Sequence, residues 1–184
     1  MNGLGPGTTS PMSLDVGSGS YAFRCLFDDY DPLDEQTFLV NTINQIEESK
    51  YWASTAIVIT YDDSDGWYDH QKPVIVNGSN TAQDAAICTS AKQTLGDTPD
   101  RCGFSQRLPM LVISPWTRSN FVSNKLTDTA SVTQFIENNW LGGQRIGGGS
   151  YDAISGNLDG LFQFFAPRFA PVILNPTTGA VVKQ

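Results

Sequence analysis

Thr55-Ala-Ile-Val-Ile-Thr-Tyr-Asp-Asp-Ser-Asp-Gly-Trp-Tyr-Asp-His70 decides how the rest of the chain is read. A short apolar, β-branched run over 55–59 predicts a buried strand, reaching 61 at its widest. It ends in the adjacent carboxylates Asp62 and Asp63. Asp65, Asp69 and His70, the chain's only histidine, follow within eight residues. Packing gives acids no reason to stand at the end of such a strand. A hard divalent cation does, because it takes several carboxylate oxygens. The carboxyl end of a parallel strand is also where open α/β sheets place their sites. The competing reading is a solvated acidic turn.

Strand neighbours point to opposite faces, so both carboxylates reach one ion only if the chain bends at Ser64, Asp65 and Gly66. An EF-hand alignment fails. With Gly66 at the sixth loop position, Tyr61 and Lys72 fall where the first and last ligands belong. His70 reads either as a structural hydrogen-bonding residue or, beside Asp69, as a candidate catalytic group. Ser131 lacks a surrounding GxSxG and reads as a helix-start serine.

Outward from that motif, a helix is expected before it. Asp31 can cap it, Pro32 suits its first position, and Asp34 and Glu35 complement its N-terminus. Leu39, Ile43 and Ile46 form its apolar stripe with Phe38 flanking, and it should end near Lys50. After the motif, residues 71–106 form a long excursion of little periodicity. An excursion of this length is expected to be functional or pinned. A second strand is expected over Leu108–Ser114, starting at or after Pro109. A helix over 128–140 follows, capped by Asp128 or Thr129, with Val132, Phe135, Ile136 and Trp140 as its buried stripe and Gly142 as its stop. Gly142–Gly149 lacks GxxxxGK[ST] and reads as a connector. Ile154, Leu158, Leu161, Phe162 and Phe165 suggest a short amphipathic helix. Residues 172–182 read as a terminal hairpin.

The 184 residues are 40% hydrophobic and 16% charged, the composition of one globular domain. The net charge of −8, with no Lys/Arg cluster, argues against nucleic acid. No apolar stretch approaches the ~18 residues of a membrane span. Residues 1–20 are Gly/Ser/Pro-rich and lack the apolar core of a signal peptide. Cys88 and Cys102 bracket a polar segment. On spacing alone they are either a bridge, worth about 3 kcal/mol in the chain-entropy model, or two free thiols. Zinc is disfavoured, because there is no CxxC and only one histidine.

Three segments together resemble a family. They are Thr60-Tyr-Asp-Asp-Ser-Asp-Gly-Trp-Tyr-Asp-His70, Cys102-Gly-Phe-Ser-Gln-Arg-Leu-Pro-Met-Leu-Val-Ile-Ser-Pro-Trp116 and Ser131-Val-Thr-Gln-Phe-Ile-Glu-Asn-Asn-Trp140. In this order they are similar to the phosphoesterase family of bacterial phospholipases C and acid phosphatases. Asp31-Pro-Leu-Asp-Glu-Gln fits upstream and Leu174-Asn-Pro-Thr-Thr-Gly179 downstream. The Cys…Arg-Cys-Gly pattern at 88–103 resembles the acid phosphatase branch.

The resemblance implies an α/β fold: a three-layer α/β/α, alkaline-phosphatase-like core, here incomplete, with a C-terminal hairpin. It divides the chain into an irregular segment over 1–29 and the C-terminal part of a phosphoesterase domain over 30–184. It implies a divalent metal ion held by Asp62 and Asp63, with Asp65 and Asp69 as supporting groups of unassigned role. It implies a Cys88–Cys102 disulfide, with Cys25 free. The implied substrate is a phosphate monoester or phosphodiester, and the implied location is secreted or periplasmic. The family's Glu-Asn metal ligands, Ser or Thr nucleophile and several histidines lie in an N-terminal half that these residues do not match. Val122-Ser-Asn-Lys125 stands where relatives often have Val-Asp-His. The expectation is therefore a C-terminal fragment of a metal-dependent phosphoric-ester hydrolase, inactive alone. It should expose a strand edge and a helix face able to bind an N-terminal half or a second copy. The alternative is a non-catalytic acidic module that binds divalent cations or a partner.

Overall fold

The computed structural model describes residues 32–64, 66–78, 82, 85–88 and 102–184. The expectations for Asp31, Cys25 and the segment 1–29 lie outside these residues, as does Asp65. The described part is a mixed α/β arrangement of helices and two small sheets. Helix α1 spans Pro32–Glu47, strand β1 Ile57–Thr60 and the short helix α2 Ala85–Cys88. Strand β2 spans Met110–Ile113, helix α3 Ala130–Trp140, strand β3 Ile173–Leu174 and strand β4 Val181–Lys183.

Strand β1 is not the parallel strand the motif suggested. It pairs antiparallel with β2, Ile57 opposite Ile113 and Thr60 opposite Met110. Among the described residues this sheet has two strands. Ile57, Val58 and Ile59 are half-buried, not buried. Side chains lock the start of the pair. Ser114 Oγ donates to the Thr55 carbonyl at 2.7 Å and Trp116 Nε1 to that of Ala53 at 2.8 Å. Trp52, in the 3₁₀ turn Trp52–Ser54, is buried beneath.

The acidic Asp34 and Glu35 occupy the first turn of α1, as the dipole favours. The helix ends at Glu47, three residues early, and its stripe differs from expectation. Val40 and Glu47 are buried, whereas Leu39, Ile43 and Ile46 are half-buried. The physical reason is that α1 docks the terminal hairpin through polar groups. Asn44 Nδ2 donates to the Leu174 carbonyl at 2.8 Å, and Leu174 N–H donates to Asn44 Oδ1 at 3.0 Å. This is the exchange a strand partner would make. Val172 N–H donates to Glu47 Oε2 at 2.6 Å, and Gln36 Nε2 reaches the Pro176 and Thr177 carbonyls. The hairpin itself is as expected, β3 antiparallel to β4. Asn175 Oδ1 accepts from Thr177 and Thr178 N–H, and Gly179 takes φ +68°.

Helix α3 keeps only half of its expected stripe covered, Val132 and Phe135 being half-buried. Ser131, Gln134 and Glu137 are buried, while Ile136 and Trp140 are exposed. The buried polar row is hydrogen-bonded, as burial demands. Asp128, not Thr129, caps the helix. Its Oδ1 accepts from Ser131 N–H at 2.9 Å, and Ser131 Oγ in turn accepts from Asp128 N–H at 3.0 Å. Ser155 Oγ donates to the same Asp128 oxygen at 2.6 Å. Gln134 Nε2 donates to the Asp152 and Ser155 carbonyls at 2.8 and 2.9 Å. Phe135 adds a stacked contact with buried Phe162, 5.1 Å between centroids.

No amphipathic helix forms over 154–165. One 3₁₀ turn, Tyr151–Ala153, ends just before this stretch, and another, Asp159–Leu161, stands within it. Gly156 lies so close to the Leu126 carbonyl that a Cβ would collide with it, and Ser155 is held by Asp128. Gly142 and Gly143 stop α3 at positive φ, as expected of a connector. Among the described residues no helix is long and apolar enough to cross a membrane.

Candidate functional site

Asp62 and Asp63 lie just beyond the carboxyl end of β1, separated from Thr60 by Tyr61, and both are exposed. The chain bends at these two residues, and Asp62 Oδ1 accepts from Asp63 N–H at 3.1 Å. Tyr61 OH donates to Glu35 Oε1 at 3.3 Å, which ties the start of the loop to the first turn of α1. Trp67 and Tyr68 stand 78% and 81% exposed. Apolar rings of this size gain nothing from water, so packing does not account for their placement. His70 is exposed, and its ring meets that of Tyr68 edge-on at 5.1 Å. Asp65 lies outside the described residues.

Asp69 behaves differently from the other acids. Its carboxylate is gripped by Arg107, Nη2 to Oδ1 at 2.7 Å and Nε to Oδ2 at 2.9 Å. Arg107 N–H adds a bond to Oδ2 at 3.0 Å and Gln71 N–H one to Oδ1 at 2.9 Å. Each oxygen thus has two donors, which fills the acceptor capacity of a carboxylate. The guanidinium bonds, followed by the two backbone N–H groups, hold the Asp69 carboxyl well below its ordinary value of 3.8. The same bonds raise the pKa of Arg107. A folded value below the ordinary one means the pair's support is complete above pH 3.8 and is lost only as the pH falls further.

Arg107 stands within the Cys102–Trp116 segment, but no pattern in the sequence gives it a role. The signal that could have found it is its place: a cation three residues before β2, facing a loop rich in acids.

The excursion is pinned. Cys88 and Cys102 form a disulfide with Cα atoms 5.5 Å apart. Cys102 O accepts from Val76 and Asn77 N–H, at 2.9 and 3.0 Å. Gly103 lies against the Val74 carbonyl, where a Cβ would collide. Ser131, fully buried inside the helix cap, is not an accessible hydroxyl.

The donor chemistry at Asp62 and Asp63 suits a hard divalent cation, since all the side-chain atoms offered are carboxylate oxygens. The set is small. Among the described residues no group of three His, Cys, Asp or Glu could hold a metal ion. Two carboxylates leave most of a six- to eight-oxygen shell to other donors.

The phosphoesterase family's pattern matches residues 25–141, more than half of the chain, a span that includes Asp62–His70 and β2. The chain belongs to the phosphoesterase family. The non-hemolytic phospholipase C of Burkholderia pseudomallei strain K96243 is 37% identical over 89 residues, covering 47% of this chain and 13% of that protein. The non-hemolytic phospholipase C of Pseudomonas aeruginosa is 30% identical over 141 residues, 69% of this chain and 20% of that protein. The hemolytic phospholipase C of the same bacterium is 28% identical over 114 residues, 61% and 15% of the two chains. The chain thus spans no more than a fifth of the length of these relatives.

Proposed function

We propose that this chain is the cation-holding C-terminal part of a phosphoric-ester hydrolase, with a phosphate monoester or phosphodiester as substrate. The observation that carries the reading is the exposed Asp62-Asp63 pair at the end of β1, inside the segment that fits the family. In this reading both carboxylates face one cleft and hold a divalent cation, while Asp65 and Asp69 support them. Such an ion, when bound, stabilises the charge on phosphoryl oxygens and lowers the pKa of an attacking hydroxyl. Asp62 and Asp63 orient that centre. His70, exposed on the same loop, is the candidate to protonate the leaving oxygen.

The serine weighed as a nucleophile, Ser131, is spent in the cap of α3. The 184-residue polypeptide by itself is therefore expected to be inactive, the attacking group coming from a segment of the kind found in the relatives. The three-layer, alkaline-phosphatase-like core belongs to that larger assembly. Exposed Leu111 on β2 and Trp140 on α3 suit a covering polypeptide, an N-terminal half or a second copy. The disulfide suits a secreted or periplasmic setting. A non-catalytic, cation- or partner-binding module is the second reading, favoured by the buried state of Ser131.

The test is hydrolysis of p-nitrophenyl phosphate and of bis(p-nitrophenyl) phosphate with added divalent metals. The chain alone should show rates several orders of magnitude below a complete hydrolase. Adding an N-terminal half of a relative's type in trans should restore turnover that Asp62→Ala removes. Metal-dependent turnover by the chain alone would overturn the inactive reading.

A further inference from the structure

We propose that Asp69 and Arg107 form a positioning pair that sets the geometry of the Asp62-Asp63 loop. The inference rests on the cation reading above for its consequence, but on geometry for its substance. The loop leaves β1 at Thr60, which is paired with Met110 of β2. It returns at Asp69, which is bound through four hydrogen bonds, three of them from Arg107. Residues 107 and 110 belong to one short stretch, 107–109 leading directly into β2. Both ends of the nine-residue span 61–69 are thus tied to the same stretch of chain. Tying both ends of a short loop removes most of its freedom. Asp62 and Asp63 stand inside the closed span.

The pair is built for this task. The Asp69 side chain is only 12% exposed, although the Arg107 side chain that grips it is 72% exposed. The contact is bidentate, the geometry that fixes orientation as well as distance. With four donors on its two oxygens, Asp69 has no acceptor site left for an ion. It is a positioning residue and acts through the backbone it holds. Neither the cation site nor the catalytic hypothesis assigns a role to Arg107.

The experiment separates positioning from plain charge. The probe is Mn²⁺ alone, titrated into the 184-residue chain and followed by electron paramagnetic resonance, with amide hydrogen exchange of residues 61–69 measured in parallel. Arg107→Gln removes a positive charge, and Coulomb's law alone would make it bind Mn²⁺ more tightly. Asp69→Asn removes a negative charge and would bind more weakly on charge alone. Positioning predicts that both weaken binding, by roughly tenfold, the scale seen when outer partners of metal ligands are lost. The double variant should be no worse than either single, because the two act as one unit. Arg107→Lys, which cannot make the fork, should recover only part of the affinity.

Exchange of the 61–69 amides should accelerate in both single variants while α3 keeps its protection. If the wild-type chain shows no Mn²⁺ binding that Asp62→Ala removes, the cation reading fails, and the exchange result still decides whether the pair holds the loop. Tighter Mn²⁺ binding in Arg107→Gln, or unchanged exchange over 61–69 in both variants, would overturn the proposal.

Discussion

The cap of α3 and the loop after β1 handle polar side chains in opposite ways. Around α3, Asp128, Ser131, Gln134, Glu137, Asp152 and Ser155 are turned inward and joined to one another and to the backbone. Arg145 closes the set from outside, Nη1 to Glu137 Oε2 at 3.1 Å. Asp152 is held below the ordinary carboxylate range, first by the Ser150 hydroxyl, against the opposing pull of burial. After β1, by contrast, Asp62 and Asp63 are turned outward, and of the loop's described acids only Asp69 is covered. The first region uses polar groups to hold an interior together. The second leaves Asp62 and Asp63 exposed just beyond the end of a strand.

The strongest way to break this contrast is to unmake the cap. Asp128→Ala removes the carboxylate oxygen shared by Ser131 N–H, Ser131 Oγ and Ser155 Oγ and strands Ser131 Oγ, since Ser131 N–H keeps the Asp128 carbonyl and Ser155 Oγ the Tyr151 carbonyl. A lost cap costs about 1 kcal/mol and each stranded buried donor about 1–3. The expected loss is about 2–4 kcal/mol, read as a fall of roughly 5–15 °C in melting temperature. Asp128→Asn, which keeps one acceptor oxygen, should lose less. An Asp128→Ala chain as stable as the parent would show that the inward network does not hold α3.

The mirror experiment sharpens it. Asp62→Ala should leave the melting temperature within what about 0.5 kcal/mol of change allows, the usual range for an exposed site. It should remove Mn²⁺ affinity, measured by paramagnetic resonance, while Asp128→Ala retains that affinity below its melting point. If Asp62→Ala destabilised the chain as much as Asp128→Ala, the acid pair would be a structural feature and not a binding one.

Much of this division was legible in the sequence, but unevenly. The strand ending in Asp62-Asp63, the second strand, both long helices and the terminal hairpin follow from apolar runs and turn residues. The faces of the helices do not. Period alone picked Ile136 and Trp140 for the interior of α3, and the chain buried Ser131, Gln134 and Glu137 instead. Hydrophobicity orders side chains by their cost in water, whereas hydrogen-bond partners from residues 128 and 152–155 cancel that cost. Those partners are close in space and cannot be counted from periodicity. Arg107 was hidden for the same reason, being 38 residues from Asp69. The strand direction failed because an apolar run specifies burial and not the identity of its neighbour. The Asp128-x-x-Ser131 cap, by contrast, is local, and one of the two proposed caps was the right one.

The smallest expected effect tests whether burial or bonding governs an isolated carboxylate. Glu47 is buried at the end of α1, and its Oε2 accepts from Val172 N–H at 2.6 Å. Its pKa is raised from 4.5, desolvation outweighing the backbone bond. A folded value above the unfolded one gives a stabilising term that is full below pH 4.5 and is lost as the pH rises through the folded value. Above the folded value the ionised side chain is therefore unfavourable. Glu47→Gln keeps an oxygen for Val172 N–H and removes the charge. It should raise the melting temperature by about 1–2 °C at pH 7. The gain should shrink toward nothing as the pH is lowered past 4.5, where the parent carboxyl is itself neutral. A pH series of thermal melts on the two proteins checks this. A fall in stability at pH 7 would mean that the charge-assisted bond to Val172 outweighs desolvation, and that the junction of α1 with the hairpin works like the ion pair at Asp69 and not like the neutral exchange at Asn44.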